Sequence, residues 1–231
     1  MDISSEPTIS IIIPCFNERN TLKKLLKKVR SANTKGLTKE VIIVDDGSFD
    51  GTKELLQQIC EDEVLLHHAE NKGKGAALQT GFKEASGSVY IVQDADLELD
   101  PVDYPKLLSP ILEGEGKVVY GNREDKPSSR MLLYYLGGRC LIAATRMLYN
   151  TNISDPMVGY KVFHDDVLSD ISLEEKGFAF CAEFTGQVLN QGYDIIEVPV
   201  EYYPRSSKEG KKLRYTDGIR WLWVLVRERF S

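Results

Sequence analysis

The chain has 231 residues, of which 42% are hydrophobic, and its formal net charge at neutral pH is −6. This length and composition can bury a large core, and the negative charge argues against nucleic acid as the main partner. The four cysteines lack metal-ligand spacing and indicate free thiols in a reducing compartment, and no apolar segment approaches the roughly 20 residues that span a bilayer. No signal peptide opens the chain, so we expect one cytosolic domain over residues 1–231.

The N-terminal half repeats one unit, which consists of an apolar run, polar turn residues and a segment with helical periodicity. Leu22, Leu25, Leu26 and Val29, for example, fall on one face of a predicted helix with lysines opposite. Strands are predicted at 9–13, 41–44, 64–66 and 89–92, and helices at about 21–30, about 76–85 and about 130–149. Continuous apolar strands that alternate with helices predict an α/β fold with a mostly parallel sheet covered on both faces.

Asp94 and Asp96 directly follow the strand predicted at 89–92. They therefore emerge at the C-terminal end of a strand, which is the edge where open α/β sheets bind ligands. Side chains two residues apart in extended backbone point the same way, so these carboxylates repel each other unless a cation lies between them. Mg²⁺ and Mn²⁺ prefer such oxygen ligands, usually together with substrate phosphates. The pair predicts a metal–diphosphate site, although solvated acidic pairs are also common at strand ends.

Polar groups also follow the second and third predicted strands. Asp46 lies where a carboxylate can accept from base N–H or ribose hydroxyl groups, and Asp50 is interpreted as a helix N-cap. Residues 72–75 (KGKG) can cradle phosphates at a helix N-terminus, but they lack the spacing of a P-loop. His67 and His68 have no partner at metal-ligand spacing, so we interpret them as structural.

Several short motifs follow one another in a specific order. They are IPCFNE at 13–18, VDDGSFDGT at 44–52, NKGKG at 71–75, DADLE at 94–98, GNR at 121–123, SDPMVGYK at 154–161 and EVPV at 197–200. From about residue 8 to residue 218, the chain resembles family 2 glycosyltransferases of the dolichyl-phosphate (polyprenyl-phosphate) mannosyltransferase type. The resemblance implies a GT-A fold, with a Rossmann-like, mostly parallel sheet, a nucleotide-sugar donor, a divalent metal and an inverting transfer. In many members the acceptor is a polyprenyl phosphate.

The resemblance also implies roles on the donor side. Asp96 would hold Mg²⁺ or Mn²⁺, which neutralises the leaving diphosphate, and Asp94 and Glu98 would complete the metal cluster. Glu98 stands where some relatives carry Gln, and its extra charge would alter metal preference or affinity. The residues expected to bind the nucleotide sugar are Pro14, Asn17, Glu18, Asp46, Lys72, Gly75, Asp94 and Arg123.

A phosphate acceptor changes what the catalytic residues must do. A phosphate monoester, with a second pKa of about 6, is largely dianionic at neutral pH and needs cations rather than a general base. Asp155 and Glu183 are carboxylates that can act as a base or position the sugar, although Glu183 can equally cap a helix. The predicted catalytic residues are Asp96, Asp155, Arg123 and Arg205, and the predicted acceptor-binding residues are Arg205, Lys212 and Glu183.

Residues 205–231 combine a basic loop with an amphipathic C-terminal helix. In that helix Trp221 and Trp223 lie in an apolar run that Arg220 and Arg227 flank. A cation-flanked aromatic helix can lie in a membrane interface. The alternative is a helix that packs on the core, although two tryptophans two residues apart cannot share one helical face. The Ser-, Gly- and Lys-rich loop is typical of a segment that closes over bound donor, or of a solvated surface loop.

These expectations combine into one functional hypothesis. The chain would be an inverting glycosyltransferase that moves a hexose, with mannose favoured, to a polyprenyl phosphate such as dolichyl or undecaprenyl phosphate. GDP-mannose is the favoured donor and a UDP-sugar the alternative, and the place of action is the cytoplasmic face of a membrane, with a membrane subunit as a further candidate partner.

Two alternatives stay open. One is a family 2 enzyme that uses UDP-glucose or UDP-N-acetylglucosamine with a soluble or saccharide acceptor. The other is a non-catalytic scaffold that binds nucleotide sugars. A haloacid-dehalogenase phosphatase is disfavoured because its D-x-D pair belongs on the first strand. A nucleotidyltransferase is disfavoured because it usually has a Gly-rich basic loop after the first strand, where this chain has residues 14–18.

Overall fold

The computed structural model describes residues 8–123, 132–205 and 215–231. Its strands are β1 (Thr8–Cys15), β2 (Thr38–Asp45), β3 (Val64–His67), β4 (Val89–Val92), β5 (Val118–Asn122), β6 (Lys161–His164) and β7 (Ile195–Pro199). Its helices are α1 (Leu22–Ser31), α2 (Thr52–Ile59), α3 (Lys74–Glu84), α4 (Tyr104–Leu112), α5 (Leu132–Tyr149), α6 (Asp166–Ser169), α7 (Phe180–Asn190) and α8 (Tyr215–Phe230). Lys212 and most of the predicted basic loop lie outside the described residues.

The strands of the described ranges form one sheet in the order β3-β2-β1-β4-β6-β5-β7. The pairs β1–β2, β1–β4, β2–β3 and β5–β7 are parallel, whereas β6 runs antiparallel to both β4 and β5. Because β6 is antiparallel to both of its neighbours, β4 and β5 point in the same direction. The C-terminal ends of the parallel strands and the N-terminal end of β6 therefore share one edge, where the segments that follow β1, β2, β4 and β5 meet.

The centre of the sheet is covered on both faces. Ile11, Ile12 and Ile13 are fully buried although successive strand residues point to opposite faces. α1 buries Leu22, Leu25, Leu26 and Val29, the face that the sequence periodicity predicted. α3 packs on β1 and β2, and Gly81 permits this close approach because a Cβ there would lie 2.5 Å from Ile12 Cγ2. The predicted α/β fold with a mostly parallel sheet is confirmed.

Two helix starts differ in detail from the sequence expectation. α3 begins at Lys74 rather than at about 76, directly after Gly73, whose φ of 101° favours glycine. α2 begins at Thr52, with Gly51 rather than Asp50 at the cap position. Asp50 Oδ1 nevertheless accepts a hydrogen bond from Thr52 N over 3.0 Å, so Asp50 satisfies the same helix end from one residue further back.

The C-terminal helix places its two tryptophans on different faces, as their spacing requires. Trp221 is 4% exposed and belongs to the core, whereas Trp223 is 57% exposed. Across the described ranges, no helix combines the length and the apolarity needed to cross a bilayer.

Candidate active site

The segment after β4 carries an acidic pair at the shared sheet edge. The Lys74 amine donates to Asp94 Oδ1, and Glu98 N donates to Asp96 Oδ1 over 3.0 Å. Burial, together with the charge of Asp94, raises the pKa of Asp96 to about 7. Lys74 thus pairs with Asp94, whereas a backbone N–H donates to the Asp96 carboxylate.

A divalent cation fits this pair, because two hard carboxylates of like charge attract Mg²⁺ or Mn²⁺ and lose their mutual repulsion when one binds. Glu98, the third predicted ligand, has both oxygens engaged: Oε1 accepts from Arg205 N over 2.8 Å and Oε2 from the Tyr202 hydroxyl over 3.0 Å. Its metal role stays a prediction. Within the described residues, three potential ligand atoms lie within 4.8 Å of one another at 164–166, beside the start of β4 and thus at the opposite edge.

The turn after β1 is tied to the turn after β2. Asn17 adopts a φ of 53°, which Asn tolerates better than most residues, and its N–H donates to Ser48 Oγ over 2.8 Å. Glu18 N donates to Thr52 Oγ1 over 2.9 Å. Pro14 is the second-to-last residue of β1. The residues predicted to hold the nucleotide, from 14 to 18, therefore lie beside the turn that carries Asp46.

Asp46 holds the loop that leads into α3. Its Oδ1 accepts from Lys72 N over 2.9 Å, and its Oδ2 accepts from Gly73 N over 2.7 Å. His68 Nδ1 lies 2.7 Å from the same Oδ1. Lys72 contributes its backbone N–H to this contact, and the residue as a whole is exposed. These contacts place two predicted donor residues, Asp46 and Lys72, in one hydrogen-bonded unit.

Two glycines permit close backbone contacts that shape the site. A Cβ on Gly75 would lie 2.1 Å from Glu175 O, so any larger residue would push α3 away from that segment. A Cβ on Gly159 would lie 2.1 Å from Asp94 Oδ2. The motif at 154–161 thus packs directly on Asp94 of the acidic pair. A shift of either segment would therefore displace the other.

Arg123 and Asp155, predicted as separate catalytic residues, form a bidentate ion pair. Nε donates to Oδ2 and Nη2 to Oδ1, both over 2.7 Å, and the backbone N of Arg123 donates to Oδ2 over 3.3 Å. Burial lowers and the Asp155 carboxylate raises the pKa of Arg123, and the carboxylate outweighs burial. Asp155 therefore orients the guanidinium in this arrangement.

The turn that carries Asp155 is held from two sides. Glu197, in β7, accepts from the N–H groups of Ser154 and Asp155, over 2.8 Å in each case. The fully buried Lys161 amine donates to two carbonyl oxygens of the segment 156–158, over 3.2 and 3.0 Å, and burial lowers its pKa. Because both ends of the turn are anchored in strands, the position of Asp155 is set by the sheet.

Arg205 links the donor side to the metal side. Its Nη1 and Nη2 donate to the Glu18 carboxylate over 3.2 and 2.6 Å, and its Nε donates to Asp96 O over 2.9 Å. The guanidinium carbon of Arg123 lies 5.1 Å from the centre of the Tyr202 ring, whose hydroxyl binds the segment after β4. Arg123 and Arg205, both predicted as catalytic, therefore belong to one contact network with the acidic pair and Glu18.

Glu183 lies in a different network. Its carboxylate accepts from the N–H groups of Glu174 and Glu175 over 3.0 and 2.9 Å, and Arg227 Nη2 lies 3.3 Å away. Burial raises the pKa of Glu183. These contacts join α7 to α8 and to the segment before α7, rather than cap a helix, and the acceptor role of Glu183 stays a prediction.

Three residues that contact the candidate site had no individual role in the sequence analysis: Gly159, Glu197 and Tyr202. Lys74 was expected only as part of the phosphate-cradling segment 72–75, and its contact with Asp94 was not predicted. Glu197 and Gly159 stood inside recognised motifs, but their partners lie far away in the sequence. Tyr202 carried no signal, since its two contacts depend on the packing of the segment after β7.

Known proteins share this sequence pattern. Residues 10–172 match the family described as glycosyl transferase family 2. The dolichol-phosphate mannosyltransferase of Pyrococcus furiosus is 31% identical over 211 residues, which cover 88% of this chain but only 58% of that protein. The undecaprenyl-phosphate mannosyltransferase of Micrococcus luteus is 30% identical over 214 residues, which cover 87% of this chain and 85% of that protein.

A solved structure shares the fold. The glucosyl-3-phosphoglycerate synthase of Mycobacterium tuberculosis, in complex with Mn²⁺, uridine diphosphate and phosphoglyceric acid, superposes with a TM-score of 0.76 at 21% identity, over 96% of this chain and 78% of that one. This likeness confirms the predicted GT-A fold. Because the family match covers more than half of the sequence, the chain belongs to glycosyl transferase family 2.

Proposed function

We propose that this protein transfers mannose, with inversion, from GDP-mannose to a polyprenyl phosphate. The observation that carries the proposal is the meeting of an acidic pair, Asp94 and Asp96, with Arg123 and Arg205 at one sheet edge. The acidic pair suits a metal-bound diphosphate, and the arginines suit a phosphate acceptor. The names of the Pyrococcus and Micrococcus relatives support mannose as the sugar and a lipid phosphate as the acceptor.

On the donor side, Asp94 and Asp96 would hold Mg²⁺ or Mn²⁺. When bound, the metal neutralises the charge that develops on the leaving nucleoside diphosphate. Lys74 orients Asp94, and the N–H groups at the start of α3 face the same edge, where a helix N-terminus favours phosphate. Asp46 and the residues from 14 to 18 would bind the nucleoside.

On the acceptor side, the chain needs cations rather than a base, because a phosphate monoester is already largely dianionic at neutral pH. Asp155 orients Arg123 and Glu18 orients Arg205, so both guanidinium groups are held before the acceptor arrives. A phosphate presents oxygens with a geometry close to that of a carboxylate, so it can share or replace the carboxylate at each guanidinium. Asp155 is thus proposed to position Arg123.

The first test is calorimetric titration with GDP and UDP, each with and without Mn²⁺, followed by a transfer assay with GDP-mannose and a polyprenyl phosphate. We expect metal-dependent binding of GDP and formation of polyprenyl-phosphate mannose. Metal-dependent binding of UDP alone would move the donor to UDP-glucose or UDP-N-acetylglucosamine. Binding without transfer to any acceptor would favour the non-catalytic scaffold.

Arg205→Ala tests the acceptor assignment. We expect kcat/KM for the acceptor to fall about 100-fold or more, because a charge-assisted bidentate contact is lost, while GDP binds within about threefold of wild type. The matched control is Arg30→Ala, since Arg30 binds Glu63 in the same bidentate way, over 2.7 and 3.0 Å, at the opposite end of α1. Full transfer by Arg205→Ala would remove this arginine from the acceptor pocket.

A lipid acceptor requires access to a membrane surface, and α8 supports that part of the proposal. Ile219, Trp223 and Phe230 are 70%, 57% and 79% exposed and lie on one face, at spacings of four and seven residues. α5 packs beside α8 and exposes Met147, which is 81% accessible. Arg220, next to this face, binds Glu175 over 3.0 Å and still keeps 63% of its side chain exposed. We propose that this face lies on the cytoplasmic surface of an anionic membrane.

Co-sedimentation with vesicles that contain anionic lipid tests the membrane contact. The double variant Trp223→Ser, Phe230→Ser should bind vesicles at least about tenfold more weakly than wild type, because the largest apolar side chains of the face are lost. Leu112→Ser, which changes an exposed apolar residue of α4, is the matched control. Equal vesicle binding by both variants would contradict the location.

A further inference from the structure

His68 lies directly behind Asp46, between the end of β3 and α3. Its Nδ1 is 2.7 Å from Asp46 Oδ1, its Nε2 is 2.9 Å from Thr80 Oγ1, and its side chain is 8% exposed. An ionised carboxylate only accepts hydrogen bonds, so Nδ1 carries the hydrogen that Asp46 receives. In the neutral imidazole Nε2 then accepts from the Thr80 hydroxyl. The ring is therefore held at both nitrogens and cannot turn without breaking at least one of these contacts.

Asp46 passes this constraint to the backbone of the donor loop. Its two oxygens accept from the N–H groups of Lys72 and Gly73, over 2.9 and 2.7 Å. On its other side the loop lies against the segment before α7, since a Cβ on Gly73 would be 2.4 Å from Lys176 O. The loop is thus held between the Asp46 side chain and the backbone of Lys176, and Lys74 follows it as the first residue of α3.

The rotamer of Asp46 depends on His68. Without the imidazole, the carboxylate would have only the two backbone N–H groups of a glycine-containing loop to hold it, and both would be free to move with it. With the imidazole, a third donor holds the carboxylate, from a residue whose own N–H donates to Asp45 O over 2.9 Å and whose Nε2 contacts Thr80 of α3. A fixed carboxylate and a fixed loop are what a nucleoside diphosphate needs, because ordering them on binding would cost affinity.

We propose that His68 is a positioning residue for the donor: it orients Asp46, and through Asp46 it sets the Lys72–Gly73 amides that begin the phosphate-facing end of α3. This inference rests on the proposed function, since it assumes that a nucleoside diphosphate binds at this edge. His68, which has no partner at metal-ligand spacing, would thus keep the loop of Lys72 and Gly73 in the conformation that binds the donor.

The test compares two substitutions at the same position. His68→Leu removes both contacts, whereas His68→Asn keeps an N–H donor near the position of Nδ1. We expect His68→Leu to weaken metal-dependent GDP binding and raise the donor KM by about 10- to 100-fold, the size of a lost hydrogen bond to a charged group, with a much smaller change in kcat. His68→Asn should recover most of the affinity. Thr80→Val, which removes only the hydroxyl, should fall between them.

The matched control is His164→Leu. His164 pairs with Val89 at the start of β4, so it lies at the opposite edge of the sheet, and its loss should leave donor binding unchanged. If His68→Leu binds GDP as wild type does, or if His68→Asn is as weak as His68→Leu while both keep the wild-type Tm, the proposal is overturned.

Amide hydrogen exchange separates this proposal from the proposed function, because it needs no ligand. The peptide that contains Lys72 and Gly73 should exchange at least about tenfold faster in His68→Leu, and near the wild-type rate in His68→Asn. Unchanged exchange in His68→Leu would refute the positioning role even if GDP binds. If wild-type protein binds neither GDP nor UDP, the proposed function fails, and the exchange rates alone decide whether His68 orders this loop.

Discussion

Two acidic groups of this molecule show how neutralisation separates a structural cluster from a binding site. The first group lies on α7, on α8 and on the segment before α7. It contains Glu175, Glu183 and Glu228, which are 3%, 1% and 5% exposed. Arg227 contacts all three carboxylates, over 3.1, 3.3 and 2.5 Å. Arg220 adds a second guanidinium at Glu175. This group is a joint between helices, in which two guanidinium groups bind three carboxylates.

The second group, after β4, is less well matched. Lys74 neutralises Asp94, but burial and the charge of Asp94 leave Asp96 with a pKa raised to about 7. A carboxylate that is costly to ionise at the ligand-binding edge of a sheet is poised for a cation from outside. The comparison supports the prediction that Asp94 and Asp96 bind the metal, and it favours a packing role for Glu183, whose pKa burial also raises but whose carboxylate is bound by Arg227. Each prediction below can break that assignment.

Asp96→Asn should have the largest effect. We expect transfer to fall by about 10³-fold or more, because the metal loses a ligand and the leaving diphosphate loses its neutralisation. The same variant should be more stable. When the pKa of a carboxyl group in the folded protein exceeds its ordinary value of 3.8, the protein loses stability as the pH rises from that value to about 7. Replacing Asp96 by Asn should therefore add about 1–3 kcal/mol to the free energy of unfolding at pH 8.

Thermal unfolding and an Mn²⁺ titration measure both effects on one sample of Asp96→Asn. Retained Mn²⁺ binding, or a lower Tm than wild type, would show that Asp96 is an ordinary structural carboxylate like those of the first group.

Glu183→Gln should show the opposite pattern. The carboxylate receives two backbone N–H groups and Arg227, and the amide of Gln would turn an N–H₂ toward one of them. We expect a loss of about 2 kcal/mol in the free energy of unfolding, with acceptor KM and Mn²⁺ affinity unchanged well below the Tm. A raised acceptor KM in a folded variant would instead support the acceptor role predicted for Glu183.

The affinity for Mn²⁺ should depend on pH near neutrality. Above pH 7 Asp96 is ionised and binds the cation, whereas below pH 7 the metal must displace a proton, so the affinity should fall by about tenfold per pH unit. Titrations at pH 8, 7 and 6, in buffers of different ionisation enthalpy, count the released proton. Glu183→Gln is the control and should keep the profile, while a flat wild-type profile would separate Asp96 from the metal.

Gly159→Ala should have the smallest effect. Its Cβ would lie 2.1 Å from Asp94 Oδ2, so the carboxylate must turn away from the metal position. We expect about a threefold to tenfold loss of Mn²⁺ affinity, with little change in Tm because a side-chain end can move. Gly137→Ala, where a Cβ meets nothing within 4 Å, is the control. An unchanged affinity would indicate that Asp94 does not contact the metal.

Much of the site edge was predictable because parallel strands bring their C-terminal ends together. Asp96 after β4 and Asp46 after β2 were both located by the apolar runs that precede them. Their partners were not predictable in the same way. Arg123 binds a residue 32 positions away, and Arg205 binds one 187 positions away. Both contacts depend on how β6 enters the sheet between β4 and β5 and on where the segment after β7 packs.

The sequence by itself determined the α/β class, the acidic pair at a strand end and the family, because periodicity and short motifs are local properties. It predicted Asp96 as a metal ligand, but for Glu183 it left an acceptor role and a helix cap as equal alternatives. Only the tertiary structure decided that Arg227 and two backbone N–H groups bind Glu183, whereas Asp96 stays under-neutralised beside Asp94. The physical reason is that the charge state of a buried carboxylate depends on cations and donors brought to it by folding, from positions that sequence spacing does not reveal.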